Sequence, residues 1–306
     1  MTGGAGMPPE GTVFDIGYQR YTGAREGRTR ARFAVYKDGV RNALGLGRNA
    51  RAKILPWLFI GVLVAIALVM ALVVGAAQKF VGPEGTEQLG LPSHSDFYGI
   101  ASIIIFVFAA VVGPELLCPD RRNGTINLYL VRPLTGSDYV IARWAAFLTV
   151  MTFVAWAPQL VLLLGMVMGA PDSVAYLREN WLDIPHLLLS GMAIAAYTTT
   201  LAMFVAGFTT RRAYASVFLI GLFVISTPFT AGTATEIEGN GGRWLSMFNL
   251  SNIPVHVNDL IFGEVSEVTS VAPAGELASW ILVSWFFLWT LVPFGVLWAR
   301  YRRLTP

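Results

Sequence analysis

The chain has 306 residues, 55% of them hydrophobic and 13% charged, with a mean hydropathy of +0.57. A soluble domain carries about 25% charge, so this composition excludes an ordinary globular fold and indicates a polytopic membrane protein. One cysteine, Cys118, and three scattered histidines, His94, His186 and His256, exclude an internal disulfide, a cysteine zinc centre, an iron–sulfur cluster and a histidine metal cage.

Residues 1–53 read as an N-terminal region ahead of the membrane. Its first 28 residues are rich in Gly, Arg and Thr and are expected to be irregular. Phe33, Tyr36, Val40 and Leu44 then recur at helical spacing among Arg30, Arg32, Lys37 and Arg41. That pattern predicts an amphipathic elbow helix lying flat in the headgroup layer; the alternative is a solvated basic arm. Gly45-Leu-Gly47 should end it before Pro56-Trp57.

Residues 54–306 read as a transmembrane domain. A span needs about 20 apolar residues, and six stretches qualify: Ile54–Ala77, Phe97–Leu117, Trp144–Gly169, Leu187–Phe208, Ala213–Thr230 and Ala278–Ala299. Pro158 predicts a kink in the third, and Ser226-Thr-Pro228 a break in the fifth. Between the fifth and sixth lies a long outer loop, 231–277, with apolar clusters at Trp244–Ile253 and Leu260–Phe262. Structureless loops of that length are uncommon, so short helices on the outer leaflet are expected before the last span. The fold class is therefore all-α, with six transmembrane helices.

Orientation follows from the basic residues. Of 22 Lys and Arg, 19 lie in the N-terminal region, the second–third loop and its edge, the fourth–fifth loop and the tail. Only Lys79, Arg178 and Arg243 lie on the other side. This asymmetry places both termini in the cytoplasm and requires an even number of spans.

The chain carries no energy source of its own. A phosphate-binding loop needs Gly-Lys-Ser/Thr, and the three lysines follow Tyr36, Ala52 and Gln78. Neither His-Glu-x-x-His nor Gly-x-Ser-x-Gly occurs, and no ionisable residue falls near the middle of a span. An enzyme is not expected, nor an ion-driven carrier, because such carriers place charged groups inside their spans.

The polar exception is the loop 118–139 with its flanks, Glu115-Leu-Leu-Cys-Pro-Asp-Arg-Arg-Asn-Gly-Thr-Ile-Asn-Leu-Tyr-Leu-Val-Arg-Pro-Leu-Thr-Gly-Ser-Asp-Tyr139. Thr125–Val131 should form one or two helical turns, stopped by Arg132-Pro133. Thr135-Gly-Ser-Asp138 fits a capping box for the third span. The alternative is an ordinary structured loop.

This stretch resembles the permeases of type 2 ATP-binding-cassette exporters, and the resemblance covers the whole chain. The leader Asp15-Ile-Gly-Tyr-Gln-Arg-Tyr-Thr-Gly-Ala-Arg25 is similar to those of actinobacterial members. The extended arginine-rich N-terminus departs from the family. The resemblance implies a bacterial cell-membrane protein that works with two separate ATPase subunits and a second permease copy or paralogue in the lipid bilayer, with no nucleic acid. This chain would hold no cofactor, ATP and Mg being bound by the partner. The short helix would be a cytoplasmic coupling helix, with Glu115, Asp120, Arg121, Arg122, Gly124, Thr125, Leu128, Tyr129, Arg132 and Pro133 serving the ATPase contact. Gln159, Thr198, Thr199, Thr200 and Ser226 are polar groups inside spans and candidates for a substrate cavity, although such groups more often bond across helices. The competing readings are a complex of the same architecture that transmits force or signals without moving a solute, and a membrane enzyme or unassisted channel.

Overall fold

The computed structural model describes residues 23, 27–47, 49–88, 91–130, 134–236, 244–245, 247–263 and 278–303; at 81–88 and 231–236 it describes the backbone alone. Arg132 and Pro133, the proposed helix stop, lie outside the described residues. So do most of the leader and much of the outer loop.

Among the described residues there are helices and turns and no strand. In order they are α1 (Arg28–Ala43), α2 (Ala50–Gln88), α3 (His94–Arg122), α4 (Ile126–Tyr129), α5 (Gly136–Gly169), α6 (Ser173–Glu179), α7 (Asp183–Phe208), α8 (Arg212–Glu236), α9 (Ile253–Phe262) and α10 (Ser279–Arg302). Six of these, α2, α3, α5, α7, α8 and α10, are long and apolar enough to cross a bilayer. The chain is a multi-pass membrane protein.

Local chemistry fixes the helix ends. Ser93 caps α3 and Thr135 caps α5, each in a reciprocal capping box with Asp96 and Asp138. After α1, Gly45 and Gly47 turn the chain with φ of 66° and 81°. A side chain at Gly45 would also strike the Ala52 backbone. Both constraints call for glycine.

Helices in lipid gain little from apolar contact, so close packing depends on small residues. Ala71 and Gly75 of α2 meet Gly165 and Gly169 of α5 with no room for larger side chains. Gly113 of α3 faces Ala202 of α7, and Gly207 of α7 faces Leu297 of α10. The best-buried spans are α3, α5 and α7, and α8 and α10 are the least covered.

Several boundaries differ from the sequence reading: α2 runs on to Gln88, past the expected end at Ala77, and three further differences bear on the packing and the site. First, α8 does not break at Ser226-Thr-Pro228 but continues to Glu236, taking up the first residues of the expected outer loop. Hydroxyls support the backbone there: Thr230 Oγ1 donates to the carbonyls of Ser226 (2.7 Å) and Thr227 (3.0 Å), and Ser251 Oγ donates to that of Phe223 (3.1 Å). Second, α5 begins at Gly136, not Trp144, because the capping box sets its start. Arg143 is thereby drawn two turns inside the helix. Third, α3 runs on to Arg122, past the expected end at Leu117. Helix α5 is continuous through Pro158. Helix α9 lies within the outer loop, ends at Gly263 in the left-handed region (φ 71°), and buries Ile253, Val255 and Val257.

Candidate functional site

The basic end of the bundle is organised by one buried arginine. Arg143 on α5 is 1% exposed. Its Nη2 lies 2.9 Å from Asp120 Oδ2 at the end of α3, and its Nη1 lies 2.8 Å from Asp38 Oδ2 on α1. Its guanidinium also lies over the rings of Tyr129 (5.7 Å) and Tyr139 (5.6 Å). A planar guanidinium suits this role because it can meet carboxylates in its plane and aromatic rings on its face. Tyr139 donates to Asp120 Oδ2 at 2.6 Å and stacks on Tyr301 of α10 at 6.0 Å. One cluster therefore joins α1, α3, α4, α5 and α10.

Helix α1 is tied to α5 a second time. Arg28 Nε donates to Asp138 Oδ2 (2.6 Å) and Arg32 Nε to Oδ1 (2.8 Å). Asp138 is thus a cap and an ion-pair partner at once. Gly39 lets the helices meet: a Cβ there would sit 2.7 Å from that of Ala146. Phe33, by contrast, is exposed.

Helix α4 is one turn long and rests on this cluster. Gly124 introduces it with φ of 68°. Thr125 Oγ1 donates to Asp120 Oδ1 (3.1 Å), Ile126 is buried, and Tyr129 OH lies 3.4 Å from Arg143 Nη2. Burial, with Asp120 adding to it, pushes the Tyr129 phenol above its ordinary pKa, so it remains protonated at neutral pH. The opposite face is open: Leu128 is 74% exposed, and Arg122, Asn123, Gly124 and Asn127 are exposed beside it.

The residues singled out from sequence thus separate into two groups. Asp120, Arg121, Thr125 and Tyr129 bind within the chain, with Arg121 donating to the carbonyls of Gly207 and, at 3.4 Å, Thr209. Glu115 is 2.8 Å from Arg212 of α8. Arg122, Gly124 and Leu128 are the ones presented to the surroundings.

The polar groups within spans are not brought together into one cavity. Gln159 is fully buried and exchanges bonds with His94 through the ring Nδ1 (3.0 Å) and the main-chain oxygen (2.7 Å). Thr198 bonds back to Ile194 O, Thr200 accepts from Trp144 Nε1, and the Thr199 hydroxyl is buried without a hydrogen-bond partner among the described residues. Ser226 is buried as well, and its neighbour Thr227 borders open space. A groove of about 480 Å³ between α3, α8 and α9 is lined by Ser102, Phe106, Phe223, Thr227, Ser251 and Asn252 among others, and among the described residues no charged side chain lines it.

Sequence reasoning missed Arg143 as a hub, together with Asp38, Tyr139 and Tyr301. One signal was available: an arginine eight residues after a capping threonine must lie two turns into the helix. Its partners come from distant segments, and no local pattern identifies them. No protein-family model matches the chain, and no curated protein matches it.

Proposed function

We propose that the chain is the permease subunit of an ATP-driven exporter of the type 2 ATP-binding-cassette kind, in a bacterial cell membrane with its basic end in the cytoplasm. The observation that carries this reading is α4. It exposes Leu128 on a single turn whose other face is bound to a buried ionic cluster joining five helices. A force applied to Leu128 would act on α1, α3, α5 and α10 together, which is what coupling to a separate motor requires. The chain itself lacks a phosphate-binding loop.

In this reading two ATPase subunits seat the α4 turns of two permeases. Arg122, Gly124 and Leu128 touch the ATPase, and Asp120, Thr125, Tyr129 and Arg143 hold the turn. Arg132 and Pro133 follow the turn in sequence. The uncharged groove between α3, α8 and α9 suits an amphipathic, neutral substrate and favours translocation over a purely force-transmitting role.

Reconstitution with an ATP-binding-cassette ATPase subunit, to be sought in the reading frames beside this gene, tests the proposal. Leu128→Asp should abolish ATPase binding and transport while leaving the thermal unfolding of the purified chain unchanged, since exposed substitutions shift stability by only about 0.5 kcal/mol. If the variant binds and stimulates the ATPase as the wild type does, α4 is not the coupling element.

A further inference from the structure

We infer that the basic end carries a binding site for the headgroup of an anionic phospholipid, between the start of α2, the end of α3 and the first turn of α8. This site borders the exposed face of α4 at Arg122; Arg51, Arg211 and Arg212 lie outside that face, and the site does not depend on the reading above.

A depression of about 430 Å³ opens there. Its floor is apolar and belongs to spanning helices: Leu55 and Pro56 of α2, and Val111 and Val112 of α3. Its rim carries Arg51 and Arg212. Two further depressions, of about 290 and 650 Å³, share Arg212 and add Arg122 and Arg211. Among the described residues, the charged side chains lining the three are four arginines and one carboxylate, Glu115, which is paired with Arg212 at 2.8 Å. Arg51 and Arg122 make no ion pair among the described residues. Positive charge is therefore in excess at this spot.

The geometry selects the ligand class. Guanidinium groups bind phosphate oxygens through paired, charge-assisted hydrogen bonds. The first turn of α8 forms one wall, and its leading amides add positive potential. Leu55 lies four residues beyond Arg51, about 6 Å deeper along the helix, and is 42% exposed. An anion held at the rim would extend an attached alkyl chain over that floor. A soluble phosphate would leave the floor uncovered, and a soluble protein could not reach it inside the bilayer. Basic pockets between transmembrane helices take anionic headgroups in this way.

The test is native mass spectrometry on the purified full chain in detergent. The probes are phosphatidylglycerol, phosphatidylcholine with the same acyl chains, and inorganic phosphate. The wild type should retain phosphatidylglycerol at least about tenfold more tightly than phosphatidylcholine, the size expected for added charge-assisted bonds. Arg51→Gln combined with Arg211→Gln should erase that preference, and Lys37→Gln, on the exposed face of α1, should keep it. Thermal unfolding without added lipid establishes that each variant is folded. Retained preference in the double variant would overturn the site. Equal loss in Lys37→Gln would reduce it to general surface charge and overturn it too. Displacement of the lipid by millimolar inorganic phosphate would also overturn it, since the floor would then contribute nothing.

Discussion

Replacing Arg143 by methionine should destabilise the fold by about 3 kcal/mol, at the lower end of the range for removing one partner of a buried ion pair. Arg143 is 1% exposed, so its charge is held almost wholly by the protein. Without it, Asp120, whose side chain is 17% exposed, keeps two hydroxyl donors among the described residues, Tyr139 at 2.6 Å and Thr125 at 3.1 Å. Those two bonds place the cost near the lower bound. Asp38 is 49% exposed and contributes less, because water solvates it once the arginine is gone. Loss of the guanidinium's contacts with the rings of Tyr129 and Tyr139 adds to the cost. The measurement is reversible unfolding in mixed micelles, with single and combined substitutions at Arg143 and Asp120. Arg143→Met with Asp120→Asn and Asp38→Asn should recover most of the loss, since replacing a whole buried ionic group by neutral side chains is often close to neutral. If Arg143→Met costs under about 1 kcal/mol and is additive with Asp120→Asn, the cluster does not bind these helices together and the argument fails.

Gly165→Leu should separate α2 from α5, because even a Cβ at Gly165 meets Ala71; overpacking of this kind should lower the unfolding free energy by about 1–3 kcal/mol, and an unchanged unfolding curve would refute the close packing. Gly39→Val should displace α1 from α5, where a Cβ already lies 2.7 Å from Ala146, and protease protection of α1 should fall while the spans remain intact. His256 on α9 is 5% exposed, and burial holds its pKa below 6.5 against the opposing influence of Asp259. The unfolded chain therefore takes up a proton below pH 6.5 that the folded state resists, so stability falls as the pH drops through that window. A His256→Gln variant should show a flatter profile between pH 7 and pH 5, and an identical profile would refute this assignment.

What the sequence determined was everything that depends on the immediate neighbours of a residue. Six apolar runs specified six spans because unsatisfied backbone cannot face lipid, so each run must be helical. Thr135 and Asp138 set the start of α5, and Gly45 and Gly47 the end of α1, because caps and left-handed turns are local events. The short helix at Ile126 was legible for the same reason. Tertiary structure decided which charges are free and which are internal. Asp120, Arg121 and Arg122 look alike as neighbours in the chain, yet the first two bind inward and the third faces out. Thr198, Thr199 and Thr200 project at successive angles around one helix, so their surroundings depend on what packs against each side. The buried position of Arg143 was decided in the same way. It rests on Asp38, on Asp120 and, through Tyr139, on Tyr301, three segments far apart in the chain that meet only when the helices close around it.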